Sequence, residues 1–205
     1  MLVDSNLIDD LCNQGFHIVD NFLGGEHAKQ LRTNALSGDA DQRFRLARVG
    51  NSAISQHEIR GDSILWLDPD EFDLAVSTYF QKINQIVREL NNVLFLGLNQ
   101  FETHYAIYQP GTFYKKHVDQ FQNDKSRRIS CVYYLNETWQ TEYGGALKLY
   151  NKEEQLLTSV LPQADRFICF TSDLPHEVEL TQQTRISIAG WLKRSNTDQI
   201  INSVC

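Results

Sequence analysis

The chain has 205 residues, 41% of them hydrophobic, enough to fill one core and make a single domain over 1–205. Its formal charge of −7 and pI of about 5.3 argue against a general attraction to phosphate backbones or anionic membranes. No basic segment leads into an apolar run at the start, and no apolar stretch is long enough to span a bilayer, so we expect a cytoplasmic protein without a membrane partner.

Helical spacing dominates the first half. "SNLIDDLCNQG" predicts a helix capped by Ser5 and stopped at Gly15, with Ile8, Leu11 and Cys12 buried. "FHIVDNF" follows as a short strand. "GGEHAKQLRTNALSG" then places Ala28, Leu31 and Ala35 on one stripe and ends at Gly38. The segment "FRLARVGNSAISQHEIRGD" has no clear period and predicts a site-covering loop around Ala47 to Arg60, followed by an edge strand at "SILWL". In "DPDEFDLAVSTYFQKINQIVREL", Asp68 is placed to cap a long helix and Pro69 to enter its first turn. Its apolar stripe runs Phe72, Val76, Tyr79, Phe80, Ile83, Val87, Leu90 and should pack on a sheet.

From about Leu98 the period becomes two. "NQFETHYAIY", "ISCVYYL", "GALKLY", "RFICF" and "RISIAGWL" are β-rich runs without intervening helices, which indicates an antiparallel sandwich or jelly roll buttressed by the earlier helices. The division expected is helical support and covering loop over 1–95 and jelly-roll core over 96–195. The four cysteines, Cys12, Cys131, Cys169 and Cys205, are scattered without a C-x-x-C pair and read as two or three buried thiols, not as a disulfide framework or zinc site.

The chemistry begins at "KKHVDQF". In an extended segment His117 and Asp119 project from one face and can converge on a metal ion; His176, in "TSDLPHEVEL", is a second imidazole. Two imidazoles and one carboxylate leave open positions on the metal, an arrangement suited to non-haem Fe(II) and O2, whereas structural zinc is normally closed by four ligands. H-x-D alone is weak evidence, because a lone histidine is more often a hydrogen-bonded surface or core residue.

Arg185 decides between these readings. Alternation in "RISIAGWL" puts Arg185, Ser187, Ala189 and Trp191 on one face. An arginine at the head of a face otherwise small or aromatic is explained by the far carboxylate of 2-oxoglutarate, which takes two parallel charge-assisted hydrogen bonds from a guanidinium. Tyr134 is placed to add a phenolic donor, with Tyr133 facing the other way.

His117, Asp119, His176, Arg185, "CVYYLN" and "YGGALKLY", together with "GFHIVDNFLG", "EIRGDSILWLD" and "LPHEVELTQQTRISIAGW" in the same order, resemble the Fe(II)- and 2-oxoglutarate-dependent dioxygenases. Within them they resemble the prolyl 4-hydroxylases that include the animal oxygen-sensing enzymes and their bacterial relatives. The resemblance covers nearly the whole chain. It implies a double-stranded β-helix and iron ligands His117, Asp119 and His176, with Arg185 and Tyr134 on the far carboxylate. Tyr108 would lie beside the chelating end, although "YQPGTFYKKH" differs from the family spacing by one residue. Val132 and Leu147 become pocket walls, and Trp191 and Arg60 substrate contacts. Ala189 stands where relatives often carry threonine.

The implied reaction consumes 2-oxoglutarate and O2, yields succinate and CO2, and hydroxylates a prolyl residue of a protein. Ascorbate would keep the iron reduced, and no separate protein acid or base is needed. Bacterial relatives of this type act on elongation factor Tu, which is therefore the expected partner. Other readings are a free amino acid hydroxylase, with Arg48 or Arg60 holding the substrate carboxylate, a non-catalytic sensor of 2-oxoglutarate or iron, and a cupin-like zinc protein. Lys115, Lys116, Lys125, Arg127 and Arg128 around the metal motif would suit an oxidative nucleic-acid demethylase. The overall charge and the missing stacking platform place that reading second.

Overall fold

The computed structural model describes residues 6–47, 59–69, 72–120 and 123–195. Eleven strands form two antiparallel sheets among these residues. The larger sheet has the order β1 (Phe16–Val19), β9 (Phe167–Thr171), β6 (Arg127–Tyr134), β11 (Arg185–Lys193), β4 (Gln100–Tyr108), β3 (Asp62–Trp66), β2 (Arg45–Leu46). The smaller has β5 (Tyr114–His117), β10 (His176–Val178), β7 (Leu147–Tyr150), β8 (Leu156–Val160). This is the double-stranded β-helix, or jelly roll, that the period-two runs indicated.

Strict alternation along β6 and β11 gives the larger sheet two different apolar faces. Ile129, Cys131, Tyr133, Ile186, Ile188 and Leu192 pack outward against the helices, with Leu31, Tyr79, Ile83 and Leu90. Tyr134, Ala106, Tyr108, Ile168 and Phe170 point inward and meet Leu147, Leu149 and Val178 of the smaller sheet. Shifting any of these strands by one residue would exchange the two sets, so the register is strongly specified. The inward layer surrounds the pocket, and the outward layer holds its floor rigid.

The helices are α1 (Leu7–Asn13), α2 (Gly25–Ala40) and α3 (Leu74–Leu94). Several boundaries differ from expectation. Asn6 is the N-cap residue of α1, Ser5 lying outside the described residues; Leu7 and Leu11 are buried, Ile8 is half-buried and Cys12 is exposed. Helix α2 runs through Gly38 to Ala40, because Gly38 is needed inside the helix for close approach: a Cβ there would lie 2.9 Å from Leu65 and 3.3 Å from the Phe44 ring. Asp73 caps α3, its carboxylate accepting from the Val76 N–H at 2.9 Å, so the helix begins after Asp68 and Pro69, and Phe72 is fully exposed. The run "SILWL" is not the sheet edge, since β2 pairs beyond it.

Residues before 95 thus contribute three strands as well as helices. The covering loop expected around Ala47 to Arg60, including Arg48, falls at 48–58 outside the described residues. Cys131 and Cys169 are buried opposite each other on β6 and β9, and Cys205 is outside the described residues. Asp165 fastens the N-terminal elements to the jelly roll: its backbone has φ 61, and its carboxylate accepts from the Leu23 and Gly24 N–H groups and from the Tyr133 hydroxyl at 2.8–2.9 Å.

Candidate active site

His117 ends β5 and His176 opens β10, and the antiparallel register pairs them directly, with imidazole centroids 4.2 Å apart. Asp119 lies two residues past the strand end. It is nevertheless turned back to the same point: Asp119 Oδ1 is 3.6 Å from His117 Nε2, and Oδ2 is 3.4 Å from His176 Nε2. One ligand atom from each of the three lies within 4.8 Å of the others, close enough to hold one metal ion.

The hydrogen bonds around the rings fit the group to a metal. His117 Nδ1 lies 2.8 Å from the Lys115 carbonyl and His176 Nδ1 2.9 Å from the Leu174 carbonyl. A carbonyl only accepts, so each Nδ1 carries the proton and each Nε2 keeps its lone pair for the centre. Burial pushes the His176 imidazole down to about 4, which keeps it neutral. Burial works to raise the Asp119 carboxyl, but the imidazoles and hydrogen bonds from His117 and Ser130 outweigh it and hold the group well below the usual carboxylate range. Two neutral nitrogens and one anionic oxygen result, with no fourth ligand among the described residues.

At the far end of the same pocket lies Arg185, 1% exposed. Its Nε donates to the Gly145 carbonyl at 2.9 Å and Nη1 to Ser187 Oγ at 3.1 Å, and no carboxylate of the described residues pairs with it. A buried cation held only by neutral acceptors calls for an anion. Tyr134 and Tyr108 flank it, with ring centroids 5.0 and 5.1 Å from the guanidinium carbon. The Tyr134 hydroxyl is buried with no hydrogen-bond partner, and burial raises its phenol against the opposing Arg185 charge. An orphaned donor beside an unpaired guanidinium fits a carboxylate, and the distance to the histidines lies across the gap between the sheets.

Val132, Leu147, Val178 and Ala189 line the walls between these ends. Trp191 lines the pocket with the Arg127 guanidinium 3.6 Å from its ring centroid. Arg60 also lines it, but the guanidinium is committed to Asp62 through two hydrogen bonds and stacks 4.4 Å over the Tyr114 ring. Of the basic residues near the metal motif, Lys116 is 3.5 Å from Glu154, and Arg127 is 3.9 Å from Glu102. All ten expected site residues line this one pocket except Tyr134, whose ring packs behind Arg185.

The structure also supplies site residues not singled out from the sequence. Gly145 is one: both glycines of "YGGAL" have positive φ, 64 and 68, and a Cβ on Gly144 would lie 2.2 Å from the Leu180 carbonyl. That close approach presents the Gly145 carbonyl to Arg185. Asn136 accepts from the Ile186 N–H at 2.8 Å and donates to the Pro162 carbonyl at 2.7 Å, fixing the backbone beside Arg185. His104 is a third, 3% exposed, with Nδ1 unpartnered and its ring between Trp66 and Trp191. The doubled glycine was the visible signal; His104 and Asn136 carried none.

Comparison with known proteins agrees with this geometry. Residues 103–193 match the 2OG-Fe(II) oxygenase superfamily. The chain is 33% identical over 192 residues to the human prolyl hydroxylase EGLN3, covering 86% of this chain and 77% of that protein. A Pseudomonas putida prolyl-4-hydroxylase superposes with a TM-score of 0.85 and 35% identity, covering 96% of this chain and all of the other. A Trichoplax adhaerens prolyl hydroxylase, solved with a hypoxia inducible factor oxygen degradation domain peptide, gives 0.85 and 26%, covering 97% and 91%. The chain belongs to the 2OG-Fe(II) oxygenase superfamily and, within it, to the prolyl hydroxylases. Its cofactor and cosubstrates are those of that family, Fe(II), 2-oxoglutarate and O2.

Proposed function

We propose that this prolyl hydroxylase modifies a prolyl residue of elongation factor Tu in the cytoplasm, with ascorbate maintaining the metal. In this reading His117, Asp119 and His176 hold Fe(II), Arg185 and Tyr134 hold the far carboxylate of 2-oxoglutarate, and Tyr108 stands beside its inner end. The observation that carries it is the buried Arg185 without a carboxylate partner, in the same pocket as the two-histidine, one-carboxylate cluster. Bound iron would supply the activation of O2 and the oxidative decarboxylation that yields succinate and CO2.

The protein's own contribution is orientation and exclusion. The Nδ1 protons of both histidines are tied to backbone carbonyls, so the rings cannot turn away. Arg185 is held from behind by Gly145 and Ser187, which leaves the face towards Tyr134 for the anion. Val132, Leu147 and Val178 keep the space between the two ends apolar and limit entry of water. No side chain is assigned a separate acid or base role.

Two alternatives lose support from particular contacts. A free amino acid hydroxylase needs a cation for the substrate carboxylate, and Arg60 is neutralised by Asp62. A nucleic-acid demethylase needs an open basic rim, and Lys116 and Arg127 have acidic neighbours at it. The direct test is to incubate the Fe(II)-loaded protein with elongation factor Tu, 2-oxoglutarate, ascorbate and O2, and to map proline by mass spectrometry. A gain of one oxygen on one proline, absent with His117→Ala, supports the assignment; unmodified elongation factor Tu removes it as substrate.

A further inference from the structure

Behind Asp119 lies a buried chain of two hydroxyls. Ser130 Oγ donates to Asp119 Oδ2 at 2.7 Å and lies 2.9 Å from Ser172 Oγ; the serines are 2% and 1% exposed. A hydroxyl has one proton to give. The Asp119 carboxylate can only accept, so the Ser130 proton points at Oδ2, and Ser130 must accept from Ser172. The direction is therefore fixed: Ser172 to Ser130 to Asp119.

Ser172 grips the site by its backbone too. Its N–H donates to the Arg128 carbonyl, and its carbonyl accepts from the N–H of Gln120, the neighbour of Asp119, both at 3.0 Å. It also begins the short turn between β9 and His176, where the Leu174 N–H donates to the Thr171 carbonyl and the Leu174 carbonyl holds His176 Nδ1. One serine thus touches the supports of two of the three ligands. Asp119 lies beyond the end of β5, where strand pairing no longer determines its orientation. Something else must stop the carboxylate from rotating, and the hydroxyl chain is placed to do so, leaving Oδ1 turned towards His117.

We propose that Ser130 and Ser172 are positioning residues of the metal centre, acting as an ordered donor chain that sets the rotation of the Asp119 carboxylate. The proposal rests on the reading of His117, Asp119 and His176 as the ligands. Loss of an outer hydrogen-bond partner typically weakens metal binding about 10–100-fold. Ser130→Ala should show an effect of that size. Ser172→Ala should show a smaller one, and the double variant should match Ser130→Ala, because the outer hydroxyl acts only through the inner one.

The test is Mn(II) affinity of the full chain, read from the electron paramagnetic resonance signal of free Mn(II), with unfolding of each metal-free variant followed in parallel. Ser130→Thr keeps the hydroxyl on a strand residue and should restore affinity, which a packing role alone would not predict. Wild-type affinity in Ser130→Ala, or additive losses in the double variant, would overturn the chain. If Ser130→Ala does not fold, Ser130→Cys keeps the volume with a weaker donor and carries the same comparison. Failure of the ligand reading is separately visible, since wild type and His117→Ala would then bind Mn(II) alike.

Discussion

Tyr133 and Tyr134 are neighbours in the chain and lie on opposite faces of one strand, the first donating to Asp165 under the helices, the second buried beside Arg185 without a partner. Replacing each with phenylalanine should therefore separate stability from ligand binding. Tyr133→Phe should cost about 1–3 kcal/mol in urea unfolding, because a buried carboxylate loses a donor, and leave 2-oxoglutarate affinity unchanged. Tyr134→Phe should weaken 2-oxoglutarate about 10-fold, read from the anaerobic Fe(II) charge-transfer band, without loss of stability.

Arg185→Ala should abolish that band at ordinary 2-oxoglutarate concentrations, a loss of roughly 100-fold or more, because the dianion keeps only its inner attachment. Arg185→Lys should recover part of the affinity, since an ammonium supplies the charge without the planar pair of donors. Affinity of the Ala variant equal to wild type would remove Arg185 from the cosubstrate site.

The metal-free protein should weaken in acid through His104. Burial pushes this imidazole from 6.5 down to about 4, so between those values the unfolded chain binds a proton that the folded chain refuses. Stability is then complete above about 6.5 and falls as pH drops towards 4, by roughly 3 kcal/mol from this residue. A His104→Leu protein should show a shallower fall over that window in denaturant titrations at stepped pH. An unchanged slope would show that His104 accepts a proton without cost.

Gly144→Ala should damage both fold and site. Its left-handed backbone alone costs a side chain about 1–2 kcal/mol, and the added carbon would strike the Leu180 carbonyl. Relief of that clash moves the Gly145 carbonyl away from Arg185 Nε, so 2-oxoglutarate binding should weaken along with the thermal midpoint. Loss of stability with unaltered affinity would show that Gly145 does not hold Arg185.

Sheet content was legible because alternation is local: "RISIAGWL" already divides into Ile186, Ile188 and Leu192 on one side and Arg185, Ser187 and Ala189 on the other, and the two cores follow that division. Helix starts were less legible. Asp68-Pro69 carries the chemical signature of a cap, yet Asp73 is the residue whose carboxylate reaches a free N–H, a choice made by where the long helix must meet the sheet. Fe(II) chemistry could be read from residue types and spacing, but the outer supports could not. Ser130 and Ser172 are 42 residues apart and meet only because β6 and β9 pair. Nothing in either local sequence announces the contact.

The three clustered metal-site residues and the arginine lie on different sheets: His117 and His176 on the smaller, Arg185 on the larger. Sandwiched sheets keep a spacing of about 10 Å set by the side chains between them. On the proposed assignment, the thickness of the hydrophobic layer therefore acts as a gauge for the length of the diacid, and residues such as Leu149 and Phe170, which touch no ligand, set its calibration. A dicarboxylate one carbon shorter or longer than 2-oxoglutarate would satisfy one end of the gauge and miss the other.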